Sequence, residues 1–352
     1  MDVDADSDGD TQIETEGSAD VSTANTMRER ADESHTKLWV LLQANRLLVT
    51  GVLAAIVFIS FMLLGTTFYP AFQSDLQSGD TIETIFSTML SSIITGTTLV
   101  VTITQLVISQ ENGPLGDQHE RMSNTMNVRE YTSELVEEPV PADPSAYLQS
   151  IIAATQRRAN ALRDAVSESD DDELRDEIDE FTDSLTENAD EVRDQLEGGT
   201  FGEFDVLFAA LNFNYGWKIF QVERLSNDYA DTLDDEENHL LEELRTALTM
   251  FGPAREHIKT LYFQWALIDL SQLILYAAVP ALVITGGMLA FVGSGTILGS
   301  TVGVPNILWV TGLAFTISLL PFLLLVSYIA RIATVAKRTL AIGPLILRDS
   351  QR

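Results

Sequence analysis

The sequence predicts an all-α integral membrane protein, with four transmembrane helices and a cytoplasmic helical bundle inserted between spans 2 and 3. Three observations carry that prediction. Four uncharged apolar stretches, Leu47 to Tyr69, Ile85 to Ile108, Leu270 to Val292 and Ile307 to Ile329, are each long enough to cross about 30 Å of hydrocarbon as a helix. Lys and Arg are missing from the two short connections, Pro70 to Glu83 and Gly293 to Asn306, and occur everywhere else outside the apolar stretches. Between the second and third stretches, apolar residues recur at spacings of three, four and seven, the signature of amphipathic helices.

Taken in order, residues 1–36 are acidic and too poor in aliphatic side chains to bury a core, which predicts a disordered tail. Residues 37–110 hold spans 1 and 2. The first span follows a polar leader and lacks the short apolar core and cleavage site of a signal peptide, so the expectation is that it stays in the mature protein. Residues 111–144 form a juxtamembrane connector, closed by Pro139, Pro141 and Pro144. Residues 145–262 form the cytoplasmic helical domain. In it Leu148, Ile151, Ile152, Leu162 and Val166 mark one helix, and Leu174, Ile178, Phe181, Leu185, Val192 and Leu196 mark a second that returns antiparallel to it. Phe204 to Leu225 reads as a third helix. A fourth begins at Asp234 and is expected to break at Gly252-Pro253 before resuming towards span 3. Residues 263–330 hold spans 3 and 4, and 331–352 form a basic tail. By the positive-inside rule both termini and the helical domain are cytoplasmic. Trp39, Tyr69, Tyr262, Trp265, Trp309 and Tyr328 fall where interfacial anchors are expected.

Composition narrows the function classes. The chain has 52 Asp plus Glu against 21 Lys plus Arg, a formal net charge of −31. Self-repulsion on that scale is tolerable where salt is molar and the Debye length only about 3 Å, so the composition resembles that of halophilic proteins. No basic cluster offers a nucleic acid a phosphate-binding face. Cysteine is absent, which removes disulfides, thiol nucleophiles and cysteine metal sites. Glu236 and His239 share a helix face, but no second Glu-x-x-His pair exists to complete a carboxylate-bridged metal site. Gly293 to Gly299 mimics a dinucleotide fingerprint without a preceding strand. The expectation is a protein that is not an enzyme and uses neither metal nor cofactor.

The candidate functional residues lie on span 2. From Thr84, the positions Thr88, Ser91, Thr95, Thr98, Thr102, Gln105 and Ser109 recur at steps of three and four and form one polar stripe. Phe86, Ile93, Val100 and Val107 lie opposite and suit lipid or an apolar neighbour. Two readings stay open. Small hydroxylated residues let membrane helices pack closely, or the stripe lines a polar path at an oligomer axis. Asn112-Gly113-Pro114 then stops the helix and places Glu111, Asp117 and Glu120 at a cytoplasmic mouth, where rings of carboxylates would favour cations.

The run "TTLVVTITQLVISQENGPLGDQHERM" resembles a signature of uncharacterised haloarchaeal four-span membrane proteins with a Thr/Val-rich second span. That resemblance covers chiefly residues 84–130 and implies four spans and a cytoplasmic insert, with no activity attached. The sequence therefore leads to two functional expectations. One is a homo-oligomeric, passive ion channel lined by span 2. The other is a non-conducting membrane sensor or scaffold whose cytoplasmic domain, including coiled-coil-like helices, binds a protein partner.

Overall fold

The computed structural model describes residues 35–70, 81–111, 113–199, 204–293 and 296–338. The tail expected over residues 1–34 and the end of the chain from 339 lie outside the described residues. Ten helices and one short hairpin make up what is described. They are α1 (His35–Leu38), which runs on as a π-helical turn (Trp39–Gln43), α2 (Arg46–Thr67), α3 (Thr81–Glu111), α4 (Leu115–Val136), α5 (Pro144–Val166), α6 (Asp172–Leu196), α7 (Phe204–Leu211), α8 (Tyr215–Asp228), α9 (Asp235–Phe291), β1 (Ser300–Thr301), β2 (Val304–Pro305) and α10 (Asn306–Arg338). Four of them, α2, α3, α9 and α10, contain stretches long and apolar enough to cross a membrane.

The polar bundle is built as its periodicity requires. Every apolar residue that marks α5 and α6 in the sequence is at most 2% exposed. Asp143 caps α5 by accepting from the Ala146 amide, with Pro144 in the first helical position where a missing N–H costs nothing. Asp171 caps α6 by accepting from the amides of Glu173 and Leu174. α9 opens with a reciprocal capping box between Asp234 and Glu237. Carboxylates such as Asp176, Asp179 and Asp183 take the remaining, outward positions of α6.

Two boundaries differ from the sequence reading. Phe204 to Leu225 is not one helix, because the chain turns at Asn212 to Asn214 between α7 and α8. The turn is held from elsewhere: Asn188 Nδ2 on α6 donates to the Asn212 carbonyl at 3.0 Å, and Asn212 Nδ2 donates to Gln195 Oε1 at 2.8 Å. Lys218 Nζ, buried, donates to Asn188 Oδ1 at 2.9 Å and lies 4.9 Å from the Phe213 ring centroid. The second difference is at Gly252-Pro253, where α9 does not break. Pro253 and Thr249, whose carbonyl loses its helical donor, are both exposed, so water can satisfy that oxygen. Gly252 serves close packing instead, since a Cβ there would lie 3.0 Å from the Tyr215 ring.

The result is one helix of 57 residues, about 86 Å at the α-helical rise, shared by the polar bundle and the apolar layer. The bundle core reaches past the expected domain edges to Leu38 and Leu42 of the first turns, Ala266 of α9 and Val335 of α10. Tyr262 is buried in that core against Phe204, with ring centroids 5.4 Å apart, and is no interfacial anchor. The first eight residues of the expected C-terminal tail are helical and tied down through Val335.

α3 packs against α9, and α10 packs against both α9 and α2. Ile82 and Phe86 of α3 meet Met288 of α9 and Ile307 of α10, while Val100 packs near Leu270, Ile274 and Leu324 at the other end. Tyr69, Ile82, Val292 and Ile307, which flank the two short connections, thus cluster at one end, and the bundle occupies the other. Hydroxyl pairs tie the helices internally, Thr50 to Ser327 at 3.0 Å and Thr285 to Ser318 at 2.8 Å. Gly312 lets α10 approach the Phe61 ring of α2.

A carboxylate on α9 supplies a test of the bundle's stability. Burial pulls the Glu256 carboxyl upward, but hydrogen bonds from Lys259 and Arg255, and their charges, outweigh it and hold it below its ordinary 4.5. A carboxyl depressed in the folded state stabilises fully above its unfolded pKa and loses that contribution as pH falls through the folded one. Glu256→Gln is therefore expected to be less stable at neutral pH by up to about 1 kcal/mol, a figure kept small by solvent screening. The gap to wild type should close in acid. Thermal melts at pH 7 and below about pH 4 check this, and an unchanged gap would exclude the role.

Candidate functional site

α3 shows which way the stripe points. Its inner face carries Ile82, Phe86 and Ile93, all buried, with Met89, Val100 and Val107 half-buried. The apolar side therefore faces α9 and α10, its own neighbours. Thr88, Ser91, Thr95, Thr98, Thr102, Gln105 and Ser109 are all exposed along the opposite side. A single copy thus neither packs the stripe inside nor encloses it.

Five of the stripe hydroxyls have a common polarity. Thr88 Oγ1 donates to the Thr84 carbonyl at 2.8 Å, Ser91 Oγ to Ser87 at 3.2 Å, Thr98 Oγ1 to Ile94 at 2.8 Å and Thr102 Oγ1 to Thr98 at 2.9 Å. Ser109 Oγ donates to Leu106 at 2.8 Å. Each proton is turned into the helix, so the oxygen lone pairs are what the stripe offers outward. Such a column suits a cation or a donor on a neighbouring helix. Sequence reading missed Ser87 and Ser92, which are exposed and back-bonded in the same way. It also missed Gly96, beside which nothing lies within 4 Å of a built Cβ. These three fall between the three-and-four steps and widen the polar face without disturbing its period.

At the end of α3, two of the residues expected at the mouth lie together. Ser109, Asp117 and Glu120 line a shallow depression with Gly113, Pro114 and Arg121. The side chain of Glu111 lies outside the described residues. Gly113 permits the fold-back, because a Cβ there would lie 3.0 Å from an Arg121 nitrogen and 3.4 Å from Asp117. Arg121 thereby brings a positive charge among the two carboxylates and moderates their field.

A second constellation, unanticipated, lies where the apolar helices enter the bundle. Arg46, the first residue of α2, is 5% exposed. Its guanidinium donates to the carbonyls of Val40 at 2.7 Å, Leu41 at 3.3 Å, Ala44 at 3.0 and 2.5 Å, and Ser327 of α10 at 3.2 Å. Arg331 donates to the same Ala44 carbonyl at 2.7 Å and lies 4.7 Å from the Phe204 ring centroid. Carbonyls freed where the π-helical turn ends are thus gathered by two arginines from two different helices. In the sequence Arg46 looks like an ordinary topology signal, and nothing local indicates that it turns inward.

Fold and site together define a class: an all-α protein with four apolar, membrane-compatible helices, a polar helical bundle and an uncovered hydroxyl face. The chain belongs to a family of unknown function, DUF7972, whose model matches residues 12–352. No curated protein and no solved structure matches the chain.

Proposed function

We propose that the protein is a multi-pass cell-membrane protein whose copies assemble around the α3 stripe and form a passive path for cations. The observation that carries this reading is the outward stripe itself. A lone copy in a bilayer would turn the Gln105 amide and a column of oxygen lone pairs toward lipid, where polar groups find no partners. Symmetric assembly returns them to polar neighbours or to water. Both termini and the bundle lie in the cytoplasm in this reading, supported by the absence of Lys and Arg from the two short connections. The acidic composition supports a high-salt setting. No catalytic chemistry, metal or cofactor is assigned.

Cation flux into liposomes containing the purified full-length protein tests the path. The wild-type protein is expected to dissipate a potassium gradient. The Thr98→Leu/Thr102→Leu variant is expected to do so about tenfold more slowly, equivalent to some 1.4 kcal/mol of added barrier. No flux above that of empty liposomes would transfer the assignment to the second reading, a non-conducting sensor or scaffold whose bundle binds a protein partner. The continuity of α9 favours that alternative, because one rigid helix couples any load on the bundle to the membrane layer.

A further inference from the structure

No described residue of the chain covers α4 along most of its length. Every residue from Leu115 to Val128 is exposed, and the helix is held only near its end, where Thr132, Leu135 and Val136 are buried. Short helices without tertiary packing are marginal in water. Gly116, Ser123, Asn124, Thr125 and Asn127 make this one weaker still. Its surface is also unlike the rest of the bundle. Where α6 meets solvent with carboxylates, the stretch between Arg121 and Arg129 has none and shows Met122, Met126 and Val128 instead. Leu115, His119, Met122 and Met126 follow at steps of four, three and four, the seam spacing of a coiled coil.

We propose that this seam packs against the same seam of further copies, so that the α4 helices form a collar immediately beyond the α3 helices. Two observations select a second copy as the occupant. The seam begins directly after Pro114, where α3 and its outward stripe end. Both uncovered faces keep the same three-and-four spacing, so one contiguous length of chain carries both. The window free of acid is, moreover, where two chains of net charge −31 can touch without setting carboxylate against carboxylate. The collar rests on the reading that copies assemble along α3 and names a second surface that holds them together.

Because the chain has no cysteine, single substitutions in the full-length protein in lipid vesicles report the contact without background. Under mild oxidation, Met122→Cys and Met126→Cys are expected to form disulfide-linked dimers about tenfold more than Asn124→Cys on the opposite face, since bonding needs Cβ atoms roughly 4 Å apart. Thr98→Cys on α3 is run beside them. Dimers at Thr98 but not at the α4 seam overturn the collar and leave assembly along α3 standing. Dimers at the seam but not at Thr98 support the collar, with the α3 helices held apart by a hydrated axis wider than a disulfide spans. Equal yields at Met122, Met126 and Asn124 overturn the seam, as collision would produce them, and so does the absence of dimers at all three.

Discussion

Replacing Arg46 by leucine is expected to lower the thermal unfolding midpoint of the protein by roughly 4 °C. That figure corresponds to about 3 kcal/mol, the low end for removing a charged donor that satisfies several buried carbonyls. The cost arises on both sides of the junction. Val40 loses its guanidinium donor, Ala44 keeps only that of Arg331, and the Ser327 carbonyl of α10 loses its donor from α2, leaving the Thr50–Ser327 hydroxyl pair as the tie there. Arg46→Lys should recover only part of the loss, because an ammonium cannot spread its donors over four carbonyls as the planar guanidinium does. Arg331→Lys should cost less than Arg46→Leu, since Arg331 reaches only Ala44 among these carbonyls and otherwise meets the Phe204 ring and the Tyr262 side chain. Melting of the three variants in the same lipid checks the order. A leucine variant as stable as wild type would mean that water replaces the guanidinium and that the junction does not couple bundle to membrane layer.

The parts of this fold that could be read from sequence are those where burial and composition change together. α5 and α6 are legible because Leu, Ile, Val and Phe recur at buried positions while polar residues, in α6 mostly Asp and Glu, take the outward ones. The turn at Asn212 was not, because the group that holds it, Asn188, arrives from a different helix. Gly252-Pro253 misled for a related reason. A proline breaks a helix when the freed carbonyl has no other partner, and exposure of Thr249 is a property of the assembled bundle. The hydroxyl stripe shows the same limit at the candidate site. Periodicity fixed that these residues share one face of α3, but only packing against α9 and α10 determines that this face looks outward.

Thiol chemistry along α3 separates the surroundings that an outward stripe could have. Single cysteines at Thr95, Thr98 and Thr102 are expected to react with a small charged thiol reagent about a hundredfold faster than cysteines at Ile93 and Val100, because only a hydrated thiol ionises readily. Ile93 is buried against Ala278 and Ala281, and Val100 is half-buried beside Leu270 and Ile274, so both lie on the side of α3 turned away from the stripe however many copies assemble along it. The three threonines are exposed in the single chain, and their reactivity therefore reports what lies outside it. Lipid or a tight helix contact there leaves the thiol protonated and slow, whereas a water-filled axis does not. The measurement belongs in a bilayer at high salt, since detergent could wet a contact that lipid keeps closed. Fast reaction at all three threonine positions, slowed by a permeant cation, would place the stripe on the conduction path. Inertness at all five positions while flux persists would remove α3 from that path and leave its hydroxyls as the packing surface between copies.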